Sequence, residues 1–201
     1  LEYINLSNHT IRNLEPLAHV MKLQEINLSH NALTGLNALS SLTDLQKLDV
    51  SYNSLTSIAP IATCTKLKWI NANNNELPGL GAIDNLKSLE YLAVSNNALP
   101  DIYALENCKT LKELYVANNE IDDIAFLSAL VDLEVFDFSN NAVEALPEWP
   151  DEGKLRTIDG SHNAIRSLDN LANQMNLTHV NMDYNEIKSI KVLESCYKLV
   201  I

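Results

Sequence analysis

Residues 89–110 read LEYLAVSNNALPDIYALENCKT, and residues 67–88 just before them read LKWINANNNELPGLGAIDNLKS. Laid over one another, they place apolar residues at positions 1, 4, 6, 11, 14 and 17 and asparagine at position 9. The frame extends in both directions: leucines stand at 1, 23, 45, 67, 89, 111, 133, 155 and 177, so nine 22-residue units fill residues 1–198 without insertion or deletion. A fixed period of this length marks stacked supersecondary units that bury a continuous core between neighbours. No linker interrupts the frame, and residues 1–201 read as a single domain. The pattern breaks off at Leu199-Val200-Ile201 and is already running at Leu1, so the chain reads as a fragment of a longer protein lacking both caps.

Each column has a physical reason. Within L-x-x-L-x-L, positions 4 and 6 are apolar and positions 3 and 5 polar, the period-2 signature of a strand with one buried face. Stacking the units gives a parallel sheet with strands about 4.8 Å apart. Position 9 carries Asn31, Asn53, Asn75, Asn97, Asn119, Asn141, Asn163 and Asn185. An amide both donates and accepts, so these side chains satisfy backbone groups where the chain leaves the sheet, as a buried ladder. His9 replaces asparagine in the first unit, as suits an end repeat. Few residues separate the apolar positions 11, 14 and 17 from the next strand, so the convex side is expected to be extended or 3-10. The fold expected is an α/β solenoid, a right-handed horseshoe with a concave parallel sheet. The seventh unit, with LPEWPDEGK at 146–154, predicts a different convex loop of the same length, with Trp149 where leucine is usual.

With these columns the chain resembles the 22-residue class of leucine-rich-repeat proteins. NLEPLAHVMKL (13–23) and SIAPIATCTKL (57–67) look like units of bacterial internalin-like surface proteins, and ALENCKTLKEL (104–114) and VLESCYKLV (192–200) are similar to repeats of Gram-positive cell-surface proteins. The resemblance implies a protein partner held on the concave face and a cell-surface or secreted location. Phosphatase-regulator-like proteins of the same class imply a cytoplasmic regulatory scaffold as the alternative. A third reading is a structural spacer for a flanking domain.

Composition narrows the partners. The formal net charge is −12, with 26 acidic residues against 14 Lys and Arg. Such a chain repels phosphate backbones and anionic lipid, which argues against nucleic acid and membrane surfaces. No apolar run approaches the roughly 20 residues of a membrane helix. Cys64, Cys108 and Cys196 all fall at position 20 and read as small core hydrophobes. The nearest two are two repeats apart, about 10 Å, beyond the roughly 7 Å that a disulfide spans. Sequons at Asn5 and Asn27 would put glycans on the sheet face, which argues against a eukaryotic secretory route.

Outward positions 2, 3, 5, 7 and 8 form the candidate surface. Position 2 alternates Lys68, Glu90, Lys112, Glu134 and Arg156, a pattern that predicts cross-strand ion pairs. Position 3 brings Trp69 beside Tyr91, with Lys47 before them and Glu113 and His179 further on; position 5 adds Asn71 and Tyr115, with Ala93 leaving space, and position 8 adds Tyr52. Exposed aromatics are either interface anchors or rings that merely cover one another. Asp137 and Asp159 face each other at position 5, where like charges cost stability unless compensated. Arg156, His162 or His179 could compensate. The pair reads as tolerated surface charge, as a contact for basic partner residues, or as a metal site, although calcium prefers more oxygen ligands than it offers. The position-7 serines recur only because a small residue is favoured there. No Ser or Cys has a His and a carboxylate in triad arrangement, and five glycines build no phosphate loop, so neither catalysis nor a cofactor is expected.

Overall fold

The computed structural model describes residues 1–81, 83–150 and 153–199. Nine three-residue strands form one parallel sheet in chain order: β1 (Tyr3–Asn5), β2 (Glu25–Asn27), β3 (Lys47–Asp49), β4 (Trp69–Asn71), β5 (Tyr91–Ala93), β6 (Glu113–Tyr115), β7 (Val135–Asp137), β8 (Thr157–Asp159) and β9 (His179–Asn181). Every strand covers positions 3–5 of its repeat, and the register keeps like positions paired: Trp69 opposite Tyr91, Tyr91 opposite Glu113, Asp137 opposite Asp159. The middle residue of each strand points into the core and the two flanking ones face out, as the alternation requires.

The core lies between the sheet and the convex return. In the fifth repeat Leu89, Leu92, Val94, Leu99, Ile102, Leu105 and Cys108 are all fully buried. The convex side is built of 3-10 turns of three to five residues, such as Ala59–Thr63, Tyr103–Asn107 and Ala125–Ala129, separated by extended chain. Too few residues lie between core positions for a full α-helix. Between β7 and β8 no 3-10 turn occurs among the described residues. There Pro147 is buried and Trp149 sets its ring edge-on to Phe136 at 6.3 Å. Asp151 and Glu152 of this segment, and Val200 and Ile201, lie outside the described residues. The core columns are least covered in the end repeats, where Leu1 is 69% and Ile190 68% exposed.

The asparagine ladder has one geometry throughout. In Asn97, Oδ1 accepts from the N–H of Leu77 in the preceding repeat, while Nδ2 donates to Ala72 of that repeat and to Val94 of its own. Asn53, Asn119 and Asn163 repeat the pattern. The amides therefore staple adjacent repeats through backbone groups that would otherwise be unpaired. They are half-buried rather than buried, since the ladder runs along the rim of the sheet.

One position before the ladder the chain turns with positive φ. Asn8, Asn74, Asn96, Asn118 and Asn140 hold φ of 54–61°, and so do His30, Tyr52, His162 and Tyr184 at 53–55°. Asparagine tolerates this left-handed conformation; for a tyrosine it is uncommon. Gly160 at position 6 serves packing instead: a Cβ there would lie 2.4 Å from Phe138 Cζ and 2.9 Å from Met182 Sδ. The missing side chain makes room for the phenylalanine of the preceding repeat.

Candidate functional site on the concave sheet

On β4–β6 the rings of three side chains join into a shelf. Trp69 and Tyr91 stack at 4.8 Å with planes 13° apart, and Tyr91 meets Tyr115 at 5.4 Å, tilted by 43°. Lys47 sets its ammonium 4.8 Å from the Trp69 ring centre. All three rings are half-buried, and Ala93 beneath them is only 1% exposed, so the space it leaves is roofed rather than open. The Tyr115 hydroxyl donates to Glu113 Oε2 at 2.9 Å. Burial, then this bond to Glu113, raises the Tyr115 hydroxyl above its ordinary pKa; burial, with Glu113 and Asp49 nearby, raises that of Tyr91. Both stay neutral hydrogen-bonding groups at physiological pH.

Two recesses flank the shelf. One, of about 390 Å³, is lined by Lys68, Trp69, Glu90, Tyr91, Lys112 and Glu113. The other, of about 150 Å³, lies between Tyr3, Glu25, Lys47, Asp49 and Trp69. Both open onto the concave face of the sheet.

The position-2 ladder resolves into pairs. Lys112 bonds Glu90 at 2.7 Å and Arg156 approaches Glu134 at 3.7 Å. The bond from Lys112 holds the Glu90 carboxyl below its usual range, and Glu90 raises Lys112 in turn. Arg156 thus serves Glu134 and not Asp137 or Asp159. His162 stacks on Tyr184 at 4.2 Å, and His179 meets the Thr178 hydroxyl at 3.0 Å, so the closest partners of these histidines are not the aspartates either.

What holds the aspartates is the column expected to face outward at position 7. Ser29, Ser51, Ser95, Ser139 and Ser161 are buried, which corrects that expectation. Asp137 Oδ1 accepts from both the N–H (3.0 Å) and the hydroxyl (2.8 Å) of Ser139, and Asp159 Oδ1 does so from Ser161. Asn27 and Asp49 clasp Ser29 and Ser51 in the same way. Asn5, Asn71 and Asn181 cap the backbone N–H two residues on. Position 5 is therefore first a structural column, in which a short side chain caps its own turn. Asp159 also accepts from Asn181 Nδ2 at 2.9 Å.

Ala93 and Tyr115 depart from this column and have no side-chain acceptor to offer. The backbone is satisfied from the neighbouring repeat instead: Ser95 N–H donates to Asn73 Oδ1 at 2.6 Å, and Ala117 N–H to Ser95 Oγ at 3.1 Å. This substitution frees position 5 of β5 and β6 to carry a methyl group and a ring. The unusual Asn73 at position 7 was the sequence signal for it.

Tyr52 stands apart from the shelf. It stacks on His30 at 4.1 Å with planes 10° apart, and His162 with Tyr184 repeats the arrangement six repeats later. Sequence reading found the tyrosines but not their histidine partners. The three cysteines are buried and free, and each thiol points at a main-chain carbonyl of the preceding repeat, as Cys64 does at Leu39 (3.4 Å). Burial pushes the Cys108 thiol up to about 11, far from a nucleophile's range.

These features define a leucine-rich-repeat solenoid, a fold that resembles that of the internalins. The family model described as Leucine Rich repeats (2 copies) matches residues 22–63 and 109–151. Among solved structures, the internalin InlF of Listeria monocytogenes shares 22% identity at a TM-score of 0.77, over 99% of this chain and 65% of its own. The plant peptide hormone receptor RGFR1, solved in complex with RGF2, shares 21% at 0.81, over 96% of this chain and 34% of its own. TLR13, solved with ssRNA13, shares 20% at 0.71, over 99% and 35%. This chain thus spans under two thirds of each. Comparison with curated protein sequences gives no match. Among the described residues no helix is long and apolar enough to cross a membrane.

Proposed function

We propose that this chain is a protein-recognition module that binds a partner protein on the concave sheet, and that it works as part of a bacterial cell-surface or secreted protein. Trp69, Tyr91 and Tyr115 are the anchors, with Lys47, Lys68, Lys112 and Glu113 as a polar rim. One observation carries this reading. In the column where Asn and Asp cap their own turns, the two departures, Ala93 and Tyr115, fall inside the aromatic shelf, and the lost caps are replaced from adjacent repeats. Rings that only covered one another would not need the scaffold adapted beneath them. Stacked, half-desolvated aromatics with few rotatable bonds are the side chains that dominate interface energies. The likeness in fold to an internalin supports a bacterial surface role, and the peptide hormone receptor carries a polypeptide ligand on the same fold. The open sheet, and the buried Cys64 and Cys108 whose thiols burial pushes up, support binding over catalysis.

The test is capture on the immobilised domain from extracts of candidate host cells and of the source organism, beside a Trp69→Ala/Tyr91→Ala double variant. A protein retained by the wild type and lost by the variant supports the shelf as the binding site. Equal retention by both would remove the shelf from the function.

A further inference from the structure

Charge on the concave sheet is unevenly spent. Its cations are occupied within the chain: Lys47 on the Trp69 ring, Lys112 on Glu90 and Arg156 on Glu134, with Lys68 also beside Glu90. Its carboxylates on the strand floor are not. Among the described residues Asp49, Glu113, Asp137 and Asp159 make no ion pair within 4.0 Å. Two of them bracket the end of the shelf. Glu113 lies opposite Tyr91 across the strands, and Asp137 lies opposite Tyr115. The Tyr115 hydroxyl takes Glu113 Oε2, and Ser139 takes Asp137 Oδ1, so each carboxylate is oriented through one oxygen. The half-buried Tyr115 ring neighbours both carboxylates and meets Tyr91 on its other side.

We propose that the partner engages this sheet with a basic, arginine-bearing segment, one guanidinium lying on the Tyr115 ring between the carboxylates of Glu113 and Asp137. The inference rests on the concave-face reading above and specifies its partner. A guanidinium suits the place better than an ammonium: it is flat, weakly hydrated, stacks on aromatic faces and presents paired N–H groups to carboxylates. A protein of net charge −12 draws such a segment in over the whole surface. The orientation already imposed by Tyr115 and Ser139 lowers the ordering cost at the point of contact.

Three end-blocked nonapeptides that alternate glycine with arginine, lysine or glutamate serve as probes, with binding followed by isothermal titration calorimetry in 50 mM and 500 mM salt. The arginine peptide is expected to bind several-fold tighter than the lysine peptide and to weaken with salt, and the glutamate peptide not to bind. Glu113→Gln/Asp137→Asn should weaken the arginine peptide at least tenfold. Both replacements keep the shape, and asparagine retains the serine clasp, as Asn27 shows with Ser29. Glu120→Gln/Asp122→Asn, exposed on the outer side of the sixth repeat, removes the same charge elsewhere and should leave binding unchanged. Circular dichroism checks that each double variant is folded; if the first is not, Asp137→Asn alone takes its place, with a smaller but measurable loss expected. Equal loss in both double variants, loss only in the outer one, or no binding of the arginine peptide to the wild type overturns the proposal. A captured partner that needs Trp69 and Tyr91 but binds Glu113→Gln/Asp137→Asn as well as the wild type would leave the recognition reading standing while this inference fell.

Discussion

Strands β4–β6 and strands β7–β8 have one backbone and one register, yet their outward residues are held in opposite ways. In β7 and β8 Asp137 and Asp159 are gripped by serines of their own repeat, so charges facing each other across one strand spacing belong to the scaffold first. In β5 and β6 that grip is gone, the turn is capped by the repeat before, and the side chains released from the task are packed rings. The contrast shows how a periodic fold takes on a site. A column that is structural in most repeats can be vacated in two of them, provided the neighbours take over the backbone hydrogen bonds.

Substitutions can press on that contrast. The largest effect should be common to both regions: Asn119→Ala and Asn163→Ala each orphan one N–H and take one of two donors from each of two carbonyls, and each should lower unfolding free energy by about 3 kcal/mol in urea titration. Unequal losses would show that the scaffold is not shared evenly. Gly160→Ala pushes a methyl group into Phe138 and should cost about 2 kcal/mol, confined to the second region. Asp159→Ala removes the clasp on Ser161 and should cost about 1 kcal/mol, whereas Asp159→Asn should be near neutral; equal costs would point to charge rather than capping. Tyr115→Asn restores the residue type typical of its column. The regained cap offsets part of the loss of a half-buried ring, so stability should fall by about 1 kcal/mol or less while the captured partner weakens about tenfold. The smallest effect belongs to the exposed Lys112–Glu90 pair. Lys112→Ala should leave the urea midpoint unchanged at physiological salt and raise the Glu90 pKa in an NMR titration. Glu90 is held below its usual range, so what the pair contributes is present at neutral pH and disappears as pH falls through the folded value.

The repeats, the strand positions, the 3-10 convex side and the asparagine ladder were legible because each rests on a periodicity that local chemistry enforces. The Trp69–Tyr91 stack and its neighbour Tyr115 were legible because parallel in-register strands set like positions side by side. Other features hid in the same columns. Position 7 looked outward by counting alternation from the strand, but the chain has already begun to turn there, and Ser139 swings in to meet Asp137. The left-handed turn at position 8 could have been read from its asparagines, since that residue tolerates positive φ. The stacking of His30 on Tyr52 and of His162 on Tyr184 follows from the same in-register adjacency, and was missed because the histidines were weighed as catalysts and counter-charges rather than as rings. The vacancy made by Gly160 for Phe138 needs a sum of volumes across two repeats, which no single column displays.

The asparagine staples have a mechanical consequence. Each reaches only to the adjacent repeat, so tension applied at the two ends of the chain is carried in series, link after link, and is never shared between distant links. Under a steady pull the array should peel from its less covered ends one repeat at a time. Each release of 22 residues would lengthen the tether by about 70 Å, the extended length of one unit less the strand spacing it gives up. Such a protein yields by regular increments, as a ratchet strap pays out, and its centre, where the shelf lies, would be among the last parts to let go.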